Sequence, residues 1–198
     1  MNYLAHACLS FNHPEILIGN MISDFVKGKK QFEYTEAIRK GITLHRMIDN
    51  YTDQHPATRV AKNFFKPQYR LYAGAFVDVV YDHFLALNEN EFKTYGGLQQ
   101  FSLEVYEVLE TNILALPEIF RAMFPSMKHH NWLYNYQYKE GIRRSFGGLA
   151  FRAAYLTESA KAFEIFLNNY TELQKCFEIF FPEVKSYALN NLRNLLPV

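Results

Sequence analysis

Four polar pairs spaced four residues apart recur in the first half of the chain: Asn2/His6, Asn20/Asp24, His45/Asp49 and Asp78/Asp82, the last followed directly by His83. On an α-helix, residues four apart project from the same face, so each pair can be presented together. Imidazole and carboxylate donors gathered from several helices make a site for a divalent ion, with manganese, iron, zinc and magnesium all compatible. Such an ion can generate a hydroxide nucleophile and neutralise phosphate oxygens, which is the equipment of a metal-dependent phosphohydrolase. Arg46, next to His45, and Lys27, just beyond Asp24, are candidates for phosphate contact, and Asn20 is a candidate for orienting a ligand or a water.

Each of these residues also has a plainer reading. Asp78 and Asp82 share a helix face with Leu71, Ala75 and Leu85, so two carboxylates interrupt an apolar stripe. Burying them unpaired is costly, which calls for a guanidinium such as Arg46, Arg59 or Arg70, a solvated cleft, or a metal. His6, among Leu4, Ala5, Ala7 and Leu9, also fits a hydrogen-bonded core histidine, and Asp24 a solvated helix end. His83 lies about 100° round the helix from Asp82, which suits either a ligand or a supporting group. His129 and His130 are expected at the surface, and His13 and His55, each before a proline, in structural roles. The Lys27, Lys29, Lys30 cluster reads as a solvated helix end or a contact for an acidic partner.

These residues must be positioned by helices, because helical periodicity dominates and two-residue hairpin signals are scarce. The spacing predicts helices over residues 2–10, from Pro14 to about Gly28, from Thr35 past His45 and Asp49 to His55-Pro56, over Ala57 to Phe65, and over Tyr69 to Leu87. Further helices are expected over Leu98 to Leu116, near Pro117 to Met123 and near His130 to Tyr138. A stripe of Phe163, Phe166, Leu167, Tyr170, Leu173, Phe177 and Phe180 then runs until Pro182 interrupts it. Lys29 to Tyr34 and Asn88 to Gly97 read as connections. The expectation is one all-α domain, a helical bundle over residues 1–198.

Composition narrows the classes. Hydrophobic residues at 49% and aromatics at 17% predict a large, ring-rich core. A net charge of +1 supplies no broad attraction to polyanions, so nucleic acid is not expected as a partner. Cys8 and Cys176, without CxxC spacing, suggest neither a disulfide framework nor a thiolate zinc cluster and point to a reducing cytosol. No stretch approaches the roughly 18 apolar residues of a spanning helix, and no basic leader opens the chain, so a soluble cytoplasmic protein without a membrane partner is expected. The absence of a glycine-rich phosphate loop or a GxSxG elbow makes covalent catalysis the weaker option. Two further readings stay open at this point: hydrolysis of a nucleotide or other small phosphoester, and a non-catalytic helical binding module.

The motifs NYLAHACLS, GNMISDFVKG, GITLHRMIDNYTDQHP and YAGAFVDVVYDHFLA, in that order, with NWLYNY and GIRRSFGGLAFR after them, resemble the acyl carrier protein phosphodiesterases. The likeness covers roughly residues 1 to 155, the last helices matching only in character. That family is similar to the all-helical HD phosphohydrolases. The resemblance implies divalent-metal-dependent hydrolysis of the phosphodiester joining 4'-phosphopantetheine to a serine of acyl carrier protein, with manganese as the ion. It implies His6, Asp24, His45, Asp49, Asp78 and Asp82 as metal ligands or water-activating groups with His83 close by, although the HD doublet appears reversed, as Asp82-His83. Asp24, Asp78, Arg46 and His83 then form the catalytic set. Since such carrier proteins are acidic, Lys27 to Lys30, Arg39 and Lys40 are expected to steer docking, an effect that weakens with salt.

Overall fold

The computed structural model describes residues 1–152, 156 and 158–196. Positions 153–155, at the end of the resembling stretch, lie outside the described residues. All regular elements among the described residues are helical. They are α1 (Tyr3–Cys8), α2 (Pro14–Ile22), α3 (Glu36–Gln54), α4 (Pro56–Tyr69), α5 (Ala73–Ala86), α6 (Glu89–Phe92), α7 (Leu98–Thr111), α8 (Glu118–His129), α9 (Trp132–Asn135), α10 (Lys139–Arg152), α11 (Ala160–Asn168) and α12 (Tyr170–Leu195). No helix among them is long and apolar enough to cross a membrane.

The aromatic content goes where the composition predicts. Phe65 stacks on Phe76, Phe76 meets Phe146 edge to face at 5.0 Å, and Tyr81 stacks on Phe180, so rings from α4, α5, α10 and α12 form one packed centre.

Two contacts set the position of the polar pairs. The first is the crossing of α2 and α3, the most extensive helix pair in the molecule. A Cβ on Gly19 would stand 2.1 Å from the Ile38 carbonyl oxygen, and one on Gly41 would stand 2.4 Å from that of Ile16. Only glycine lets the two backbones approach this closely. Asn20 follows Gly19 directly and His45 lies one turn beyond Gly41, so the crossing brings them face to face. The second contact ties α1 to α5. The amides of Leu4 and Ala5 donate to Asp82 Oδ2 and Oδ1 at 2.8 and 3.0 Å. The first N–H groups of a helix have no partner within it, and here the buried carboxylate serves as that partner.

Several boundaries differ from expectation. α2 stops at Ile22, and Ser23–Phe25 continues as a 3₁₀ turn. The three-residue repeat of that turn puts Ser23 and Val26 both inside and leaves Asp24 exposed. Gly28–Glu33, expected as a connection, is also 3₁₀. The helix expected from Tyr69 begins at Ala73, because Arg70, at φ 46°, breaks the chain direction and leaves Leu71 98% exposed instead of on the buried stripe. Pro182 does not interrupt α12. Its missing N–H costs one backbone bond, and burial of Phe177, Phe180, Phe181 and Val184 on both sides of it carries the helix through. α8 likewise runs through Pro125 to His129, beyond the expected Met123, and the stretch expected as a helix over His130 to Tyr138 holds only the single turn α9.

Candidate metal centre

His6 from α1, Asn20 from α2 and His45 and Asp49 from α3 meet in the interior. Asn20 is fully buried and every polar group on its side chain is used. Its Oδ1 accepts from His6 Nδ1 at 2.8 Å, its Nδ2 donates to the His6 carbonyl at 2.9 Å and to Ser10 Oγ at 3.1 Å, and its backbone carbonyl accepts from His45 Nδ1 at 2.7 Å. Ser10 in turn donates to the His6 carbonyl at 2.8 Å. Because Asn20 meets each Nδ1 with a carbonyl oxygen, each imidazole carries a proton on Nδ1 and turns Nε2 inward. The two rings stack at 3.9 Å between centroids.

The inward Nε2 atoms face carboxylates. His6 Nε2 lies 3.2 Å from Asp49 Oδ1, and His45 Nε2 lies 3.1 Å from Asp49 Oδ2 and 3.2 Å from Asp24 Oδ1. Donor atoms of His6, His45 and Asp49 lie within 4.8 Å of one another. Exposure rises from the imidazoles, at 3% and 5%, to Asp49 at 38% and Asp24 at 73%, so the cluster opens from the core toward solvent. It opens into a cleft of about 430 Å³ whose walls include Asp24, Lys27, His45, Arg46 and Asp49. A second cavity of about 420 Å³, lined by Leu17, Tyr95, Phe101 and Val105 among others, contains none of the candidate residues.

The electrostatics separate the two histidines. Burial, helped by the neighbouring His45, pushes His6 down to about 4, so it is neutral and its Nε2 has no hydrogen-bond partner. Burial also opposes charge on His45, but hydrogen bonds to Asp24 and Asp49 outweigh it and push this imidazole up to about 9. For Asp49 burial is outweighed by the Met1 ammonium and the two imidazoles, which hold it well below the usual carboxylate range. The hydrogen bond to His45 lowers Asp24 as well. A neutral Nε2 and a carboxylate oxygen 3.2 Å apart are two acceptors in contact, an arrangement that a cation between them would satisfy. The donor set of two imidazoles and one or two carboxylates therefore fits a divalent metal.

The other candidates go elsewhere. Asp82, fully buried, accepts from the start of α1 with both oxygens, and burial lifts it to about 7 against those two amides; it caps α1 and is not among the donors that converge with His6, His45 and Asp49. His83 is likewise consumed by the core, donating from Nδ1 to the Tyr136 carbonyl at 2.7 Å and accepting at Nε2 from the Tyr170 hydroxyl at 2.9 Å. Asp78 lies 3.1 Å from the buried ammonium of Met1, which also touches Asp49 at 3.1 Å; it borders the cluster through that ammonium instead of supplying one of the three converging donors. Asn20 is not among the residues that line the cleft, and its hydrogen bonds go to the two histidines and Ser10. None of Arg46, Arg59 and Arg70 pairs with these carboxylates among the described residues. Arg46 instead donates to the Gln31 side chain and the Val26 carbonyl, both at 3.1 Å, which holds its guanidinium at the cleft wall.

Ser10, Gln31, Gly19 and Gly41 were not among the candidates. The glycines leave a trace in the sequence, since each stands at the head of a motif, GNMISD and GITLHRMID, that carries site residues. Ser10 likewise closes the motif NYLAHACLS, one turn after His6, whereas Gln31 lies outside the motifs and leaves no trace. His129 and His130 are exposed, and His55 caps α4 through the Ala57 amide, as their neighbours suggested.

Comparison with known proteins extends the likeness beyond the motifs. No solved structure matches the chain. The acyl carrier protein phosphodiesterase family model matches residues 1–184, past the limit of about 155 read from the motifs. Among curated proteins, the acyl carrier protein phosphodiesterase of Photorhabdus laumondii subsp. laumondii is 30% identical over 197 residues, covering 100% of both chains. Those of Serratia proteamaculans and Yersinia pestis are 31% and 30% identical over 188 residues, covering 95% of this chain and 97% of theirs. With the matched segments spanning every residue of the cluster, the chain belongs to the acyl carrier protein phosphodiesterase family.

Proposed function

We propose that this protein is a metal-dependent hydrolase that removes 4'-phosphopantetheine from the serine of holo acyl carrier protein, with His6, His45, Asp49 and Asp24 holding the ion. Family membership makes it a hydrolase of phosphodiester bonds. The observation that carries the metal reading is the way Asn20 fixes both imidazoles, so that two Nε2 atoms converge with Asp49 at the inner end of a cleft. A divalent cation there, with Mn²⁺ as the first choice and Fe²⁺, Zn²⁺ or Mg²⁺ as alternatives, supplies Lewis acidity toward phosphoryl oxygens.

The remaining work falls to the chain's own groups. Arg46, fixed by Gln31 and Val26, and Lys27 bind the nonbridging phosphate oxygens as charge builds on them. Asp24, the most exposed carboxylate of the cluster, accepts the proton of the attacking water. As the water oxygen bonds to phosphorus, the bond from phosphorus to the seryl oxygen breaks, that oxygen takes up a proton from solvent in the open cleft, and 4'-phosphopantetheine and apo carrier protein are the products.

Mass spectrometry of holo carrier protein after incubation with the chelated and the Mn²⁺-refilled protein tests this. The expected result is loss of the prosthetic arm only after refilling. Faster cleavage of nucleotides or small phosphodiesters than of carrier protein would reassign the substrate, and equal activity with and without metal would remove the ion from the reaction.

A further inference from the structure

We infer that the turn Gly28–Glu33 and the cations around it form the docking surface for an acidic protein, with Phe32 as its apolar anchor. The inference rests on the reading above, which makes that protein the carrier substrate. Lys27 and Gly28, at the start of the turn, line the cleft, so whatever sits on the turn sits beside the proposed metal centre. Lys27, Lys29 and Lys30 are exposed, and none of them pairs with an acid among the described residues. Several lysines outside this stretch are paired, Lys62 with Asp53, Lys128 with Glu110 and Lys185 with Glu91, and within it Lys40 pairs with Glu36.

Between Lys27 and Arg46 the chain carries six basic and two acidic residues, a local excess of four in a protein whose net charge is +1. Phe32 stands in this field 65% exposed, with the Arg39 guanidinium 6.0 Å over its ring. An exposed aromatic ring under a guanidinium, on a turn that carries unpaired lysines, is the anatomy of an interface anchor, since aromatic and arginine side chains carry most of the energy where proteins meet. The field requires a negative partner. Its single aromatic ring on one short turn, with no succession of rings along a groove, favours a protein over single-stranded nucleic acid. The turn is also joined to the chemistry, because Gln31 accepts from Arg46 at 3.1 Å. Docking on the turn therefore braces the phosphate-contacting guanidinium.

Calorimetric titration of the protein with holo carrier protein, at low and high ionic strength, tests the surface. Phe32→Ala is expected to raise the Kd about tenfold, and Lys29→Glu combined with Lys30→Glu to raise it further at low salt and to flatten the salt dependence. KM for carrier protein should rise in step while kcat holds. Leu114→Ala, at a side chain 89% exposed on another part of the surface, is the control and should change neither. Carrier protein cleaved and bound equally well by wild type and both variants would overturn the docking surface and leave the phosphodiesterase reading standing. Wild type that neither binds nor cleaves carrier protein would instead overturn that reading, and the proposed occupant with it. Preference of the same lysines for a single-stranded oligonucleotide over carrier protein would also overturn the inference.

Discussion

The His6, His45 and Asp49 cluster and the Asp82-His83 pair are built from the same residue types, and each stands on helices packed into the core. In the second, every acceptor and donor is met by the protein itself: Asp82 by the Leu4 and Ala5 amides, His83 by the Tyr136 carbonyl and the Tyr170 hydroxyl. In the first, neutral protein groups meet only the Nδ1 side of each ring. The Nε2 atoms are left facing carboxylate oxygens at 3.1 to 3.2 Å, at the bottom of a cleft. The difference lies in which atoms the fold leaves over. A residue type nominates a ligand, and spare lone pairs make one.

Substitutions should separate the two regions sharply. Asp49→Ala should lower conversion of holo to apo carrier protein by about 10³-fold and abolish stoichiometric Mn²⁺ binding with the helical circular dichroism retained, whereas His83→Gln should leave both within a few-fold. Equal losses from the two would erase the distinction. Asp82→Ala should act on stability instead, costing about 3 kcal/mol in urea denaturation because two buried amides lose their acceptor. A smaller effect is expected at Asn20→Ala, which frees the His6 ring to rotate while the backbone carbonyl still holds His45, and which should weaken Mn²⁺ binding by roughly 10- to 100-fold. Calorimetry with the metal alone reads this without reference to turnover.

The smallest effect is in pH. Burial lowers His83, and His6 is held down at about 4, so below about pH 6.5 the unfolded chain takes up protons that these groups refuse in the folded state, and stability falls as pH drops. His45 works the other way in metal-free protein. Pushed up to about 9, it stabilises below about pH 6.5, and that contribution is lost as pH rises toward 9. Urea midpoints across pH in the presence of chelator should therefore lose part of their acidic slope in His83→Gln and part of their alkaline slope in His45→Gln. Interchanged effects would contradict the assignment.

The sequence by itself determined a great deal here. Helical periodicity, proline positions and the Thr35 cap were enough to place the helices carrying His6, Asn20, His45 and Asp49, because local hydrogen bonding and amphipathic spacing are local properties. The motifs were enough to point to the family. Periodicity failed at Leu71, turned out by the backbone break at Arg70, and at Pro182, where the core packing of α12 overrode it. Only the tertiary structure decided which polar residues share a centre. Asp82 and His83 stand next to each other in sequence and serve two unrelated contacts, while His6 and His45, far apart in sequence, stack at 3.9 Å. That meeting depends on Gly19 and Gly41 letting two backbones touch and on one asparagine reaching both rings, and neither contact has a period or a spacing along the chain to reveal it.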